Sequence, residues 1–79
     1  MNIEKKLIII FLKFFKRRKE VKSIKRLNEE KWDSLIHVNI MIAIESEFGI
    51  RFSSGQIESL NSFKSILIVI KKNLNEKKS

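Results

Sequence analysis

Seventy-nine residues make one small domain, near the low end of what holds a core without covalent staples. The chain is 43% apolar, which argues for a folded protein, and it has no cysteine, no tyrosine and one histidine; that excludes disulfides, thiolate metal sites and cysteine nucleophiles, and an enzyme acting alone is not expected. The net charge of +8 is uneven: residues 1–31 carry eleven Lys/Arg against four Glu, residues 32–63 only Arg51 against Asp33, Glu45, Glu47 and Glu58, and residues 64–79 five Lys against Glu76.

In chain order, residues 3–19 predict a first helix. Ile3, Leu7, Ile10 and Phe14 keep helical spacing, while Ile8, Ile9, Phe11 and Phe15 widen the apolar face. A chain this small needs every large apolar residue for its core, so this is read as the long packing helix of a bundle. The other reading is a membrane-surface helix with Lys5, Lys6, Lys13 and Lys16 at its rim. The run Leu7 to Leu12 ends at Lys13, far short of the ~20 apolar residues a spanning helix needs. Lys16-Arg17-Arg18-Lys19 then stands where a signal peptide would need a small-residue cleavage site, so a cytoplasmic protein is expected.

Residues 20–32 form a linking segment in which Val21, Ile24 and Leu27 supply three apolar contacts. Without glycine or proline, both helix and loop stay open there. The basic run around it could meet phosphates of nucleic acid or anionic lipid. It lacks the interleaved aromatics that stack bases, so a solvated basic face is expected, with nucleic acid not a partner and at most weak membrane-surface contact.

Residues 34–48 predict the clearest helix. Asp33 is a good N-cap, Leu35, Val38, Met41/Ile42, Glu45 and Phe48 step along the period with Ala43 and Ile44 on the inner face, and Gly49 supplies a left-handed C-terminal stop. Ser53 with Gln56 has capping-box spacing for a short helix over 54–60, with Ile57 and Leu60 apolar. Ser62 is the candidate cap of a last helix over 63–74, whose stripe is Phe63, Ile66, Leu67, Ile70 and Leu74, followed by a frayed polar tail. The fold class is all-α: a small bundle of three main helices plus one short helix, a single domain over 1–79.

One triplet stands out. Asp33-Ser34-Leu35 sets a serine hydroxyl on the first turn of an apolar helix, directly after an acidic cap. The longer run WDSLIHVNIMIAIESEFGIRF resembles the modification-site region of the acyl carrier protein family. The resemblance covers about half the chain, from Asp33 to about Ile70, through Ser34-Leu35, Val38, Ile44-Glu45, Glu47-Phe48, Phe52, Leu60 and Asn61-Ser62. It implies a helical bundle whose Ser34 carries covalent 4′-phosphopantetheine from coenzyme A, with the arm's thiol holding an acyl or aminoacyl group as a thioester. Asp33 would be the acidic neighbour, beside the metal ion used during attachment. Leu35, Val38, Ile42, Glu45 and Glu47 match partner-binding positions. The implied partners are a phosphopantetheinyl transferase and acyl-loading and acyl-using enzymes, met by a monomer.

By the same resemblance Phe48, Ile57, Leu60 and Ile66 are candidate lining for a buried acyl chain; from the residues alone they are plain core. The departures point to a specialised pathway with a dedicated partner. Glu30-Lys31-Trp32 replaces the usual Leu-Gly, Ile36 and Asn39 stand at acidic positions, and the chain is basic where fatty-acid carriers are acidic. Trp32 is expected to anchor the loop in the core, and His37 to lie at the surface. Two other readings are a non-enzymatic module that docks through its basic first segment, and a carrier-like structural subunit that is never modified.

Overall fold

The computed structural model describes residues 2–16 and 20–78, with side chains through 74. Its first helix, α1, spans Ile3–Phe14 and starts where Asn2 Oδ1 accepts from Lys5 N at 2.9 Å. It stops short of the expected residue 19. At Phe15 the backbone turns extended, and its N–H closes the helix on Phe11 O at 2.8 Å. The reason lies in packing: leaving the helical path lets the buried Phe15 ring reach Trp32, at a centroid distance of 5.6 Å. The remainder of the expected first helix, 17–19, lies outside the described residues.

The linking segment is loop with two single 3₁₀ turns, Val21–Ser23 and Arg26–Asn28. Val21 and Ile24 are buried as the spacing predicts, but Leu27 is 97% exposed and contributes no core contact. The segment is pinned from elsewhere. Lys25 and Ser62 form an isolated antiparallel bridge, Arg26 N donates to Asn61 O at 2.7 Å, and Phe63 N donates to Ile24 O at 3.0 Å. These backbone bonds do what a longer helix would otherwise do, satisfying amides in a stretch without regular structure.

Helix α2 spans Ser34–Phe48, within the predicted bounds. Asp33 Oδ1 accepts from Ile36 N at 2.9 Å, and Gly49 ends the helix at φ 65°. Its buried face is His37, Ile40, Met41, Ile44 and Phe48 rather than the Leu35–Val38–Ile42 stripe, which faces outward. Because α2 is apolar on nearly every side, periodicity could not choose between the two faces; docking against α1 does.

Helix α3, Ser54–Ser59, begins with the reciprocal box: Gln56 N donates to Ser53 Oγ at 3.2 Å and Ser53 N to Gln56 Oε1 at 3.0 Å. Helix α4, Phe63–Lys78, opens with Ser62 Oγ accepting from Ser65 N at 3.1 Å. Its backbone stays helical past the expected end at 74, which corrects the frayed tail. No glycine or proline interrupts that stretch.

The result is a small all-α bundle in which α1 packs against both α2 and α4. Leu7, Ile10 and Phe11 of α1 meet Ile40, Met41 and Ile44 of α2 and Phe63, Ile66 and Ile70 of α4 in one core. Phe11 is its hub, with edge-on contacts to Trp32 at 5.5 Å and Phe63 at 5.1 Å. Among the described residues, no helix is long and apolar enough to cross a membrane.

Candidate functional site

Ser34 is the first residue of α2, and its side chain is exposed. Its placement follows from two local choices. Asp33 in extended conformation caps the helix from the residue before, which leaves Ser34 free of capping duty. Trp32, 3% exposed, anchors the chain just upstream and fixes where α2 begins. The Trp32 indole rests between Phe11 and Phe15 rather than over the serine, as a loop anchor should.

Arg26 Nη2 donates to the Ser34 hydroxyl, Oγ, at 3.2 Å. Beside them on the outer face of α2 lie Leu35, Val38 and Ile42, at 70%, 49% and 56% exposure. Their spacing places them along one side of the helix. An exposed row of large apolar side chains next to an exposed hydroxyl is the kind of surface that meets another molecule.

Glu45 and Glu47 do not join that row. Glu45 is half-buried and its Oε2 accepts from Phe52 N at 2.8 Å, holding the segment after α2. Glu47 lies on the side of α2 that faces α1, with its carboxylate 3.5 Å from Lys6 Nζ. Glu45 is turned toward its own fold, whereas Glu47 stays exposed in a surface ion pair on another side of the helix. The candidate surface therefore combines a hydroxyl, a guanidinium and apolar side chains, with Asp33 as its carboxylate.

Phe48, Leu60 and Ile66 are buried and Ile57 partly so, all within the continuous core. They serve as packing here.

His37, expected at the surface, is 4% exposed. Trp32 Nε1 donates to His37 Nδ1 at 2.9 Å, and the other ring nitrogen meets Ile57 O. An indole N–H can only donate, so Nδ1 must carry the lone pair and Nε2 the proton. The ring thereby ties the loop before α2 to α3. His37 precedes Ile40, Met41 and Ile44 by three, four and seven positions, which puts it on one of the two apolar faces of α2 between which spacing alone does not choose.

No protein-family model matches this chain, and no curated protein matches it.

Proposed function

We propose that this chain is a carrier protein, cytoplasmic and without catalysis of its own, which holds an acyl or aminoacyl group on 4′-phosphopantetheine attached to Ser34. The observation that carries this reading is an exposed serine hydroxyl on the first turn of a fifteen-residue helix, flanked by the outward row Leu35, Val38 and Ile42. In the attachment step Ser34 Oγ attacks the phosphorus next to pantetheine in coenzyme A. The new O–P bond forms as the P–O bond of the diphosphate breaks, the adenosine bisphosphate portion leaves, and the hydroxyl proton passes to a base on the transferase.

The residues present suit that group. The N-terminal end of α2 offers backbone amides and the positive end of the helix dipole to a phosphodiester. Asp33 spends one carboxylate oxygen on Ile36 N and faces solvent, where it can help hold the metal ion used in attachment. When bound, the arm supplies a thiol for thioester chemistry that a chain without cysteine lacks. Leu35, Val38 and Ile42 would give the transferase and the acyl-handling enzymes an apolar foothold. With Glu45 bonded to Phe52 N and Glu47 paired with Lys6, those partners would recognise this carrier by shape and apolar contact more than by its acids, which suits a dedicated pathway.

The test is Ser34→Ala. The variant should keep the helical circular dichroism and urea midpoint of the parent, within about 0.5 kcal/mol for an exposed position, and should take no phosphopantetheine. Modification retained in this variant would overturn the assignment.

A further inference from the structure

The hydrogen bond from Arg26 to Ser34 is not accounted for by carrying alone. Arg26 sits in the second 3₁₀ turn, eight residues before Ser34, and is held there by its own backbone bond to Asn61 O and by the Lys25–Ser62 bridge. Arg26 is half-buried as a residue, and among the described residues its guanidinium forms no ion pair with a carboxylate. The nearby acids are used otherwise: Glu29 accepts from Lys31 N, and Asp33 caps α2. An arginine carries five N–H donors in a planar fork, of which the Ser34 contact uses one.

The geometry points to Arg26 as the phosphate ligand of the arm, an inference that rests on the carrier reading of Ser34. Once Oγ is esterified it is a poorer acceptor, and two non-bridging phosphodiester oxygens lie one bond further out. The guanidinium then exchanges one neutral hydroxyl contact for a charge-assisted, bidentate pair, which is shorter and stronger. The phosphodiester adds one negative charge beside a cation that, among the described residues, has no carboxylate partner, so modification orders the root of the arm against the linking segment. Through the Lys25–Ser62 bridge that order reaches the start of α4.

The test uses the full chain, coenzyme A, Mg²⁺ and a broad-specificity transferase, on wild type, Arg26→Lys and Arg26→Gln. Two signals are read: the phosphorus NMR shift of the loaded arm, and the Arg26 Nε–H resonance of wild type before and after loading. The second needs no variant, so it stands even if a substitution disturbs the fold. Arg26 Nε–H should move on loading. The phosphorus shift should fall to that of a phosphopantetheinyl-serine peptide in Arg26→Gln and lie between in Arg26→Lys. An unmoved Nε–H, with the same phosphorus shift in wild type and Arg26→Gln, overturns the phosphate contact while leaving the loaded serine intact. Failure of Ser34 to load in any transferase preparation, its native one included, would remove the carrier reading and this inference with it.

Discussion

Ser34 and His37 lie three residues apart on α2 and have opposite fates. Ser34, at the helix start, keeps its side chain in solvent beside Arg26, whereas His37 turns inward and spends both ring nitrogens on Trp32 and Ile57. Replacing His37 by Phe should therefore leave an indole N–H and a backbone carbonyl without partners. The expected cost is about 1–3 kcal/mol for each group stranded in the interior, read as a lower urea midpoint. Nitrogen NMR of the wild type should show the proton on Nε2. A proton on Nδ1, or an unchanged midpoint in His37→Phe, would contradict this role. The Asp33 cap and the exposed Ser34 that opens α2 were legible because Asp-Ser-Leu before a helix is a local pattern. The histidine was missed because its burial depends on which side of an all-round apolar helix meets α1, a tertiary choice that local spacing leaves open.

At the scale of elements, helix ends written in side-chain chemistry were legible and ends written in packing were not. Asp33, Gly49, Ser53 with Gln56, and Ser62 mark their boundaries through bonds within a few residues of themselves. The end of α1 has no such marker. It is set by Phe15 leaving the helix to join Trp32, a contact across seventeen positions of sequence. Gly49 is the boundary most open to test. At φ 65° any side chain meets the carbonyl crowding of the left-handed region, so Gly49→Ala should cost about 1–2 kcal/mol without altering the helical spectrum. A variant as stable as the parent would show that α2 ends some other way.

A second element-level contact joins α1 to the first 3₁₀ turn. Lys22 Nζ lies 2.6 Å from Glu4 Oε1, and this hydrogen bond and charge hold the Glu4 carboxyl below its ordinary value. A lowered carboxylate means the folded state binds fewer protons than the unfolded one. The pair therefore stabilises the fold above the usual glutamate range and is lost as pH falls through the lowered value. A carbon-detected titration of Glu4 should show its midpoint below that of a glutamate in a peptide, and Lys22→Ala should return it upward. A midpoint at or above the peptide value would contradict the contact.

For the whole molecule, the uneven charge acquires a structural meaning. By sequence the basic charge is densest at Lys16-Arg17-Arg18-Lys19 and along α4, and the central acids are Asp33 before α2, Glu45 and Glu47 within it and Glu58 in α3. Three of the four central acids are engaged by the chain itself: Asp33 by Ile36 N, Glu45 by Phe52 N and Glu47 by Lys6. The outward side of α2 is left apolar, with Arg26 at its head. The all-α class and the element order could be read from spacing alone. The surface character could not, because it depends on which charges the fold consumes.

The central claim is that Ser34 is an attachment site. The most direct measurement is the intact mass of the full chain after incubation with coenzyme A, Mg²⁺ and a phosphopantetheinyl transferase, followed by fragmentation to locate any addition. The carrier reading predicts a gain of one phosphopantetheinyl group, on Ser34. An unchanged mass, even after co-expression with a transferase from the chain's own source, would contradict it, as would a group added at any other residue.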